Sequence, residues 1–331
     1  QVNASAIIPR MRYLTVADRK ISVVGLGAWQ FGSAGWGWNT EFGPADAKAI
    51  VKRALDLGIN LFDTAEIYAR GNSERILGAA LAGHRSDAYV ATKLWPLHPL
   101  RRQVVPALRR SLARLGMEKA DLYQLHWPNP LVPMAWTFAG MRDARDAGLV
   151  DQIGVSNFGL ARWRGADAAL GSPVIANQVP YNLVERRAER ELIPFAQAND
   201  RLILAYSPLA QGLLSGRYGV ANLPGGFRRA NALFLPENVR RIKPVLDVLT
   251  EIAAAHRATP AQIALAWTIR APRVAAIPGA KSVWQLEQNA EAAEIDLAPD
   301  QVQALAEASD AFRSRTWIRE MGQLAKRLIA R

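Results

Sequence analysis

The sequence predicts a single-domain (β/α)8 barrel spanning 1–331. Three observations carry that reading: short apolar runs alternate with helix-period segments along the chain, eight such runs can be counted, and polar residues suited to chemistry stand at or just past the C-terminal ends of three successive runs. Parallel strands need crossover connections, so strict strand–helix alternation implies a parallel sheet, and eight parallel strands close a barrel of roughly 250 residues. The 331 residues leave room for added loops and a tail.

Ahead of the barrel, residues 11–16 and 21–24 alternate around a polar turn at 17–20 and read as a β-hairpin. The first barrel strand is expected over 24–29. Gly25, Gly27 and Gly32 approach a dinucleotide-binding fingerprint, but Gln30 occupies the place of its third glycine, so that reading fails. From Pro44, apolar residues recur at helical spacing (Ile50, Val51, Ala54, Leu57) to a stop at Gly58, and a strand follows over 60–63. The unit then repeats: helices over 73–82, 104–115, 134–147, 160–170, 189–199 and 261–270 precede strands over 88–92, 120–125, 150–155, 174–178, 202–206 and 274–277. Two stretches break the pattern. The long loop after strand seven, 207–236, is rich in Gly, Pro and Arg without a period, which in a compact domain points to a functional cover. After strand eight come extra C-terminal helices over 283–293 and 299–309, then an Arg-rich tail.

Composition excludes several classes. No apolar run approaches 18 residues and the polar stretch 1–12 lacks signal-peptide features, so a soluble, cytoplasmic chain without membrane contact is expected. With no cysteine there is no disulfide, thiolate nucleophile or Cys-bound zinc. The four histidines, His84, His98, His126 and His256, are dispersed and form neither H-x-H nor H-E-x-x-H, so no metal site is expected. The net charge of +12 comes largely from arginines scattered among acids on helices (Arg109, Arg110, Arg114; Arg186, Arg187, Arg190; Arg240, Arg241). That distribution describes solvated helix faces, and no nucleic-acid-binding motif accompanies it.

The chemistry concentrates on Asp63, Tyr68, Lys93 and His126, which three consecutive strands deliver to one rim, the C-terminal face where barrels carry their active sites. Each residue alone has an ordinary structural use as a turn cap, packing ring or solvated charge; their joint placement suggests proton transfer to a carbonyl oxygen. A tyrosine has a pKa of about 10, and a lysine ammonium about 4 Å away favours the phenolate by roughly 4 kcal/mol at an effective dielectric of 20, about three pH units. Asp63 would hold that lysine charged, and His126 would orient the carbonyl. Gly279, Ala280, Lys281 and Ser282 lie between the eighth strand and a helix, where backbone N–H groups and a helix N-terminus bind phosphate. Trp29, Trp36, Trp38, Trp95 and Trp127 follow strands one, three and four, and are expected to wall the mouth with aromatic surface.

At this point the chain resembles the aldo-keto reductases, in the manner of bacterial members similar to potassium-channel β subunits. The resemblance runs through Gly25-Leu26-Gly27-Ala28-Trp29, Asn60 to Tyr68, Ala91-Thr92-Lys93, Gln124-Leu125-His126-Trp127-Pro128 and Gly154-Val155-Ser156-Asn157-Phe158. It continues through Gln178-Val179-Pro180-Tyr181-Asn182, the stretch from Tyr206-Ser207-Pro208 to Ser215-Gly216, and Ile277-Pro278-Gly279-Ala280-Lys281. It implies NADPH-dependent reduction of an aldehyde or ketone, with Tyr68 as acid, Lys93 and Asp63 as its tuners and His126 as substrate orienter. It also implies that Ser156, Asn157 and Gln178 hold the nicotinamide carboxamide, that Tyr206 stacks on the nicotinamide ring and that Trp29 contacts the cofactor. Ser207, Leu209, Gln211, Gly212 and Arg217 would then wrap the pyrophosphate, and Gly279, Lys281, Gln285, Gln288 and Asn289 the adenosine end. Trp29, Trp36, Trp95 and Trp127 would line the substrate pocket. Lys281 suits an adenosine 2′-phosphate, which favours NADP(H) over NAD(H); Gln288 departs from the glutamate usual in the family. The alternative is a cofactor-sensing regulatory subunit with little turnover on the same scaffold.

Overall fold

The computed structural model describes residues 10–312; the N-terminal stretch before them and the Arg-rich tail after them lie outside the described residues. Strands β1 (Tyr13–Val16) and β2 (Arg19–Ser22) pair antiparallel. Ala17 and Asp18, between them, both have positive φ (46° and 64°), the mirror-image turn that matches the right-handed twist of a two-residue hairpin. Val16 and Ile21 pack with Leu61, Tyr89 and Leu202, the first residues of three barrel strands, so the hairpin plugs the N-terminal end of the barrel.

Eight parallel strands follow: β3 (Leu26–Gly27), β4 (Leu61–Asp63), β5 (Tyr89–Leu94), β6 (Ala120–Leu125), β7 (Val150–Ser156), β8 (Ala176–Pro180), β9 (Leu202–Tyr206) and β10 (Val274–Ala276), each paired with the next in sequence. The ring closes where Val24 bridges Ala276, with the Gly25 N–H donating to the Ala276 carbonyl at 2.8 Å and the Gly27 N–H to the Pro278 carbonyl at 3.0 Å. The first strand is shorter than its apolar run because its glycines serve closure: a Cβ on Gly27 would lie 2.8 Å from the Ile277 carbonyl oxygen. Ladder bonding also carries β5 to Leu94, so Lys93 sits inside the strand instead of beyond it, and shifts β8 to end at Pro180.

Helices α1 (Pro44–Asp56), α2 (Asn72–Ala80), α3 (Arg101–Leu115), α4 (Met134–Asp146), α5 (Leu160–Leu170) and α6 (Leu192–Ala198) connect successive strands. Beyond β9 the segment 207–236 forms three short 3-10 turns. Two helices that the sequence alternation does not call for then follow, α7 (Pro236–Arg241) and α8 (Lys243–His256). Helix α9 (Pro260–Ile269) is buried from Gln262 onward because α8 covers it on one side and the barrel on the other, and it is correspondingly apolar all round. Helices α10 (Val283–Glu291) and α11 (Pro299–Ala311) complete the shell, with α11 against α8. The core has two layers, a small apolar cluster inside the barrel and two larger ones between strands and helices. No helix among the described residues is long and apolar enough to cross a membrane.

Candidate active site

Side chains alternate across a strand, and this parity builds the site. In β4 Leu61 faces the interior and Phe62 the helices, so Asp63 returns to the interior; in β5 Tyr89 and Ala91 face inward, so Lys93 does; in β6 Leu122 sets the same direction for Gln124, and in β8 Ala176 for Gln178. Each strand gives its lower inward positions to apolar packing and its last one to a polar group. Register completes the layer, with Lys93 opposite Gln124 and Ser156 opposite Gln178.

At the centre is a buried ion pair. Lys93 is fully enclosed; its Nζ donates to Asp63 Oδ1 at 2.6 Å, to the Thr64 carbonyl at 2.8 Å and to Tyr68 Oη at 3.4 Å. Asp63 Oδ2 accepts from Gln178 Nε2 at 2.7 Å and more weakly from Gln124 Nε2 at 3.4 Å. Glu74, also enclosed, accepts from Thr92 Oγ1 and Arg114 Nε, both at 2.6 Å. Tyr68 precedes three successive left-handed residues, Ala69, Arg70 and Gly71 (φ 47°, 55° and 83°). Such conformations cost about 1–2 kcal/mol per non-glycine residue and persist where the surroundings over-determine them. Here Glu66 accepts the Trp95 N–H at 2.6 Å, and Thr64 and Ser73 share a hydroxyl hydrogen bond at 2.9 Å. His126 lies edge-on to Tyr68 at 5.6 Å and to Trp95 at 5.8 Å between ring centroids, and its buried Nδ1 has no hydrogen-bond partner among the described residues.

Burial pushes the Tyr68 phenol well above 10, and the Asp63 charge pushes it the same way. This reverses the lowering expected from the sequence. Lys93 does not act on Tyr68 as a lone cation, because Asp63 is paired with it, and the desolvation of the enclosed phenol decides the direction. Burial likewise depresses the Lys93 ammonium, opposed by the ion pair with Asp63 and by the Glu74 charge. His126 is pushed down to about 3 by burial first and by Lys93 second, so its imidazole is neutral at physiological pH. The rim therefore holds a protonated phenol and a neutral imidazole above a buried ion pair.

These groups open into a cleft of about 1420 Å³ that contains the residues expected at the cofactor and substrate apart from Trp38 and Ala280, together with Asp63, Tyr68 and His126, while Lys93 lies beneath its floor. Pockets for drug-sized ligands measure roughly 300–1,000 Å³, so a cleft above that range has room for a ligand larger than a single drug-sized molecule. At its inner end Asn157, with φ 64°, donates through Nδ2 to Ser156 Oγ (3.0 Å) and the His126 carbonyl (3.2 Å), and its Oδ1 accepts from Tyr206 Oη at 2.9 Å. Along one wall Ser207, Ala210, Gln211 and Gly212 all have positive φ. At the outer end Ser282 caps α10 by accepting from the Gln285 N–H, and the Lys281 N–H donates to Gln285 Oε1 at 2.9 Å. Along the cleft the chain thus presents aromatic faces, amide and hydroxyl groups, a strained backbone wall and a cation. Among the described residues no group of three or more His, Asp or Glu could hold a metal ion.

The profile of the Aldo/keto reductase family matches residues 23–310. The chain belongs to this family. An uncharacterised oxidoreductase of Mycobacterium tuberculosis (strain H37Rv) is 49% identical over 97% of the chain and 100% of its own length. Two Escherichia coli K12 relatives are a methylglyoxal reductase, 32% identical over 90% of the chain and 95% of its own length, and an NADH-specific methylglyoxal reductase, 30% identical over 90% and 98%. Among solved structures, an aldo-keto reductase from Klebsiella pneumoniae in complex with NADPH superposes with a TM-score of 0.73 at 28% identity, covering 93% of this chain and 97% of that one.

Within this aldo-keto reductase, Trp29, Trp36, Trp95 and Trp127 line the cleft, and Trp29 meets Trp36 edge-on at 4.9 Å. Trp38 does not: it is buried between Phe31 and Phe42, because the loop turns back on itself before α1. Several cleft residues escape sequence reading, among them Gln30, Glu41, Phe227, Arg228 and Trp284. They lie on loops and helix ends, without a period or a motif to mark them.

Proposed function

We propose that the protein is an NADPH-dependent carbonyl reductase that converts an aldehyde or ketone to the alcohol. The observation that carries this reading is the enclosed Lys93–Asp63 pair touching the Tyr68 hydroxyl at the floor of a cleft long enough for a dinucleotide. When bound, the cofactor supplies hydride to the carbonyl carbon. Tyr68, protonated at neutral pH, donates its proton to the carbonyl oxygen. Lys93 lies within reach of the same oxygen of Tyr68 and stabilises the phenolate as it forms, while Asp63 keeps Lys93 in place. Neutral His126 presents an N–H to the carbonyl oxygen and fixes its approach.

The inner-end amides serve the nicotinamide carboxamide. Gln178 Nε2 is committed to Asp63 and Asn157 to Tyr206 and Ser156, so cofactor binding exchanges some of these bonds for bonds to the ligand. Tyr206 offers a ring face for stacking, residues 207–217 wrap the pyrophosphate, and Gly279 to Asn289 take the adenosine end. Lys281 supports the preference for NADPH, and the Klebsiella pneumoniae relative crystallised with NADPH supports it further. One relative at 30% identity is an NADH-specific methylglyoxal reductase, so the preference read here rests on Lys281 and not on the fold. The tryptophan-lined mouth favours substrates with an apolar or flat face, and the methylglyoxal reductases among the relatives support small dicarbonyls as a class to screen.

The test is Tyr68→Phe. It should lower kcat by roughly 10²–10⁴-fold, the usual worth of a general acid, while the NADPH dissociation constant, read from tryptophan fluorescence, stays unchanged. Undiminished turnover with cofactor bound would overturn the reading. Cofactor bound so tightly that the wild type completes only one turnover across a broad carbonyl panel would instead favour the regulatory alternative.

A further inference from the structure

The loop between β3 and α1 meets the irregular segment after β9 across the mouth of the cleft. A Cβ on Gly226 would lie 2.2 Å from the Gly35 carbonyl oxygen, the Trp36 and Phe227 rings pack edge-on at 6.4 Å, and the Arg228 guanidinium lies 5.4 Å from the Trp36 ring. Beside this contact Glu41, on the same loop as Trp36, accepts a hydrogen bond from Lys281 Nζ at 2.7 Å, joining residues 240 positions apart. The Lys281 side chain is only 18% exposed and the Glu41 side chain 60%. Glu41 therefore reaches in from solvent to a lysine that is already largely enclosed. Lys281, Arg228 and Arg217 all favour its charged form. The cation suited to an adenosine 2′-phosphate is thus already paired with an anion from the protein itself.

We propose that Glu41 sets the discrimination between phosphorylated and unphosphorylated dinucleotides by competing with the 2′-phosphate for Lys281. The inference rests on the reading of Lys281 as the 2′-phosphate partner. A phosphate monoester carries about −1.5 to −2 charges at neutral pH and outcompetes a single carboxylate for a lysine. It must still displace Glu41, and it then sits near that carboxylate in the bound state; a dinucleotide with a free 2′-hydroxyl meets neither penalty. Glu41 thereby holds back NADPH affinity and leaves NADH affinity untouched. Because the carboxylate is mostly exposed, solvent screens the effect.

The experiment measures dissociation constants for NADPH, NADH and adenosine 2′-monophosphate at one fixed ionic strength. Wild type, Glu41→Gln, Glu41→Ala, Lys281→Ala and the Glu41→Gln/Lys281→Ala double variant are compared by tryptophan fluorescence and calorimetry. Both Glu41 variants should tighten NADPH and adenosine 2′-monophosphate roughly two- to fivefold and leave NADH unchanged, and the effect should vanish when Lys281 is also replaced. If NADPH and NADH shift together, Glu41 acts as a latch between the two loops and the inference falls. If Lys281→Ala selectively weakens NADPH but the Glu41 variants change nothing, the inference falls while the role of Lys281 stands. If Lys281→Ala affects the two dinucleotides equally, the role of Lys281 falls and the inference with it.

Discussion

Replacing Asp63 by Asn tests how the ion pair under Tyr68 is held. The substitution keeps the shape and one acceptor but removes the charge from a group 2.6 Å from a fully enclosed ammonium. At an effective dielectric of 20 two unit charges at that distance attract by about 6 kcal/mol, before the desolvation of both is subtracted. Leaving one partner of a buried pair uncompensated typically costs about 3–5 kcal/mol, a large share of the roughly 5–15 kcal/mol that holds a domain folded. The cost should depend on pH with a definite sign. Burial already holds Lys93 below its ordinary value of 10.5, and Asp63 opposes that depression. Without Asp63 the folded-state value drops further while the unfolded-state value stays. Between the variant's lower value and the wild type's, the unfolded variant binds a proton that its folded form has lost, so its stability deficit shrinks as the pH rises through that window. Urea denaturation of both proteins at intervals from pH 6 to 9.5 reads this directly. Equal midpoints for the two proteins, or a deficit that widens with pH, would refute the assignment of Lys93 as a cation held charged by Asp63.

Three further predictions follow from particular contacts. A depression of His126 from 6.5 to about 3 corresponds to about 5 kcal/mol at 1.36 kcal/mol per pH unit. That stability is present above about pH 6.5 and lost progressively as the pH falls towards 3, so the wild type should lose stability between pH 7 and 4 more steeply than His126→Asn; a His126 NMR resonance titrating near 6.5 would contradict this. Gly78→Ala replaces a helix-interior glycine, which propensity alone would reward with about 1 kcal/mol. The new Cβ would, however, lie 2.1 Å from the Leu115 carbonyl oxygen, where α2 crosses the end of α3. The variant should therefore lose about 1–3 kcal/mol by thermal denaturation, and a raised Tm would show that the helices separate freely. Ala17→Gly relieves a left-handed alanine in the β1–β2 turn, worth about 1–2 kcal/mol, against about 0.4–1 kcal/mol of added unfolded-state entropy. A small rise in Tm is expected, and a fall would place the strain elsewhere.

What was legible in the sequence shares one property: it repeats over a short range. Strands buried on both faces are plain apolar runs, helices show their period, and the parity of a strand carries Asp63, Lys93 and Gln178 to the interior once the strands are placed. The alternation of β and α therefore yielded the barrel and its polar upper layer together. Features set by contacts between distant segments stayed hidden. Helices α7 and α8 follow the aperiodic segment after β9 and break the one-helix-per-strand alternation. Trp38 looked like its neighbours Trp29 and Trp36 until the loop between β3 and α1 folded it inward against Phe42. The acidity of Tyr68 was read with the wrong sign because burial of the phenol, and after it the Asp63 charge, set the direction, and residue identity does not reveal how deeply a side chain is enclosed. The Glu41–Lys281 pair belongs to the same class, an acid in an unpatterned loop meeting a lysine 240 residues away. In this barrel the short-range pattern supplies the catalytic layer, which repeats strand by strand. The long-range loop contacts shape the cleft and its charges, and on the proposal made above they also bear on the preference between dinucleotides.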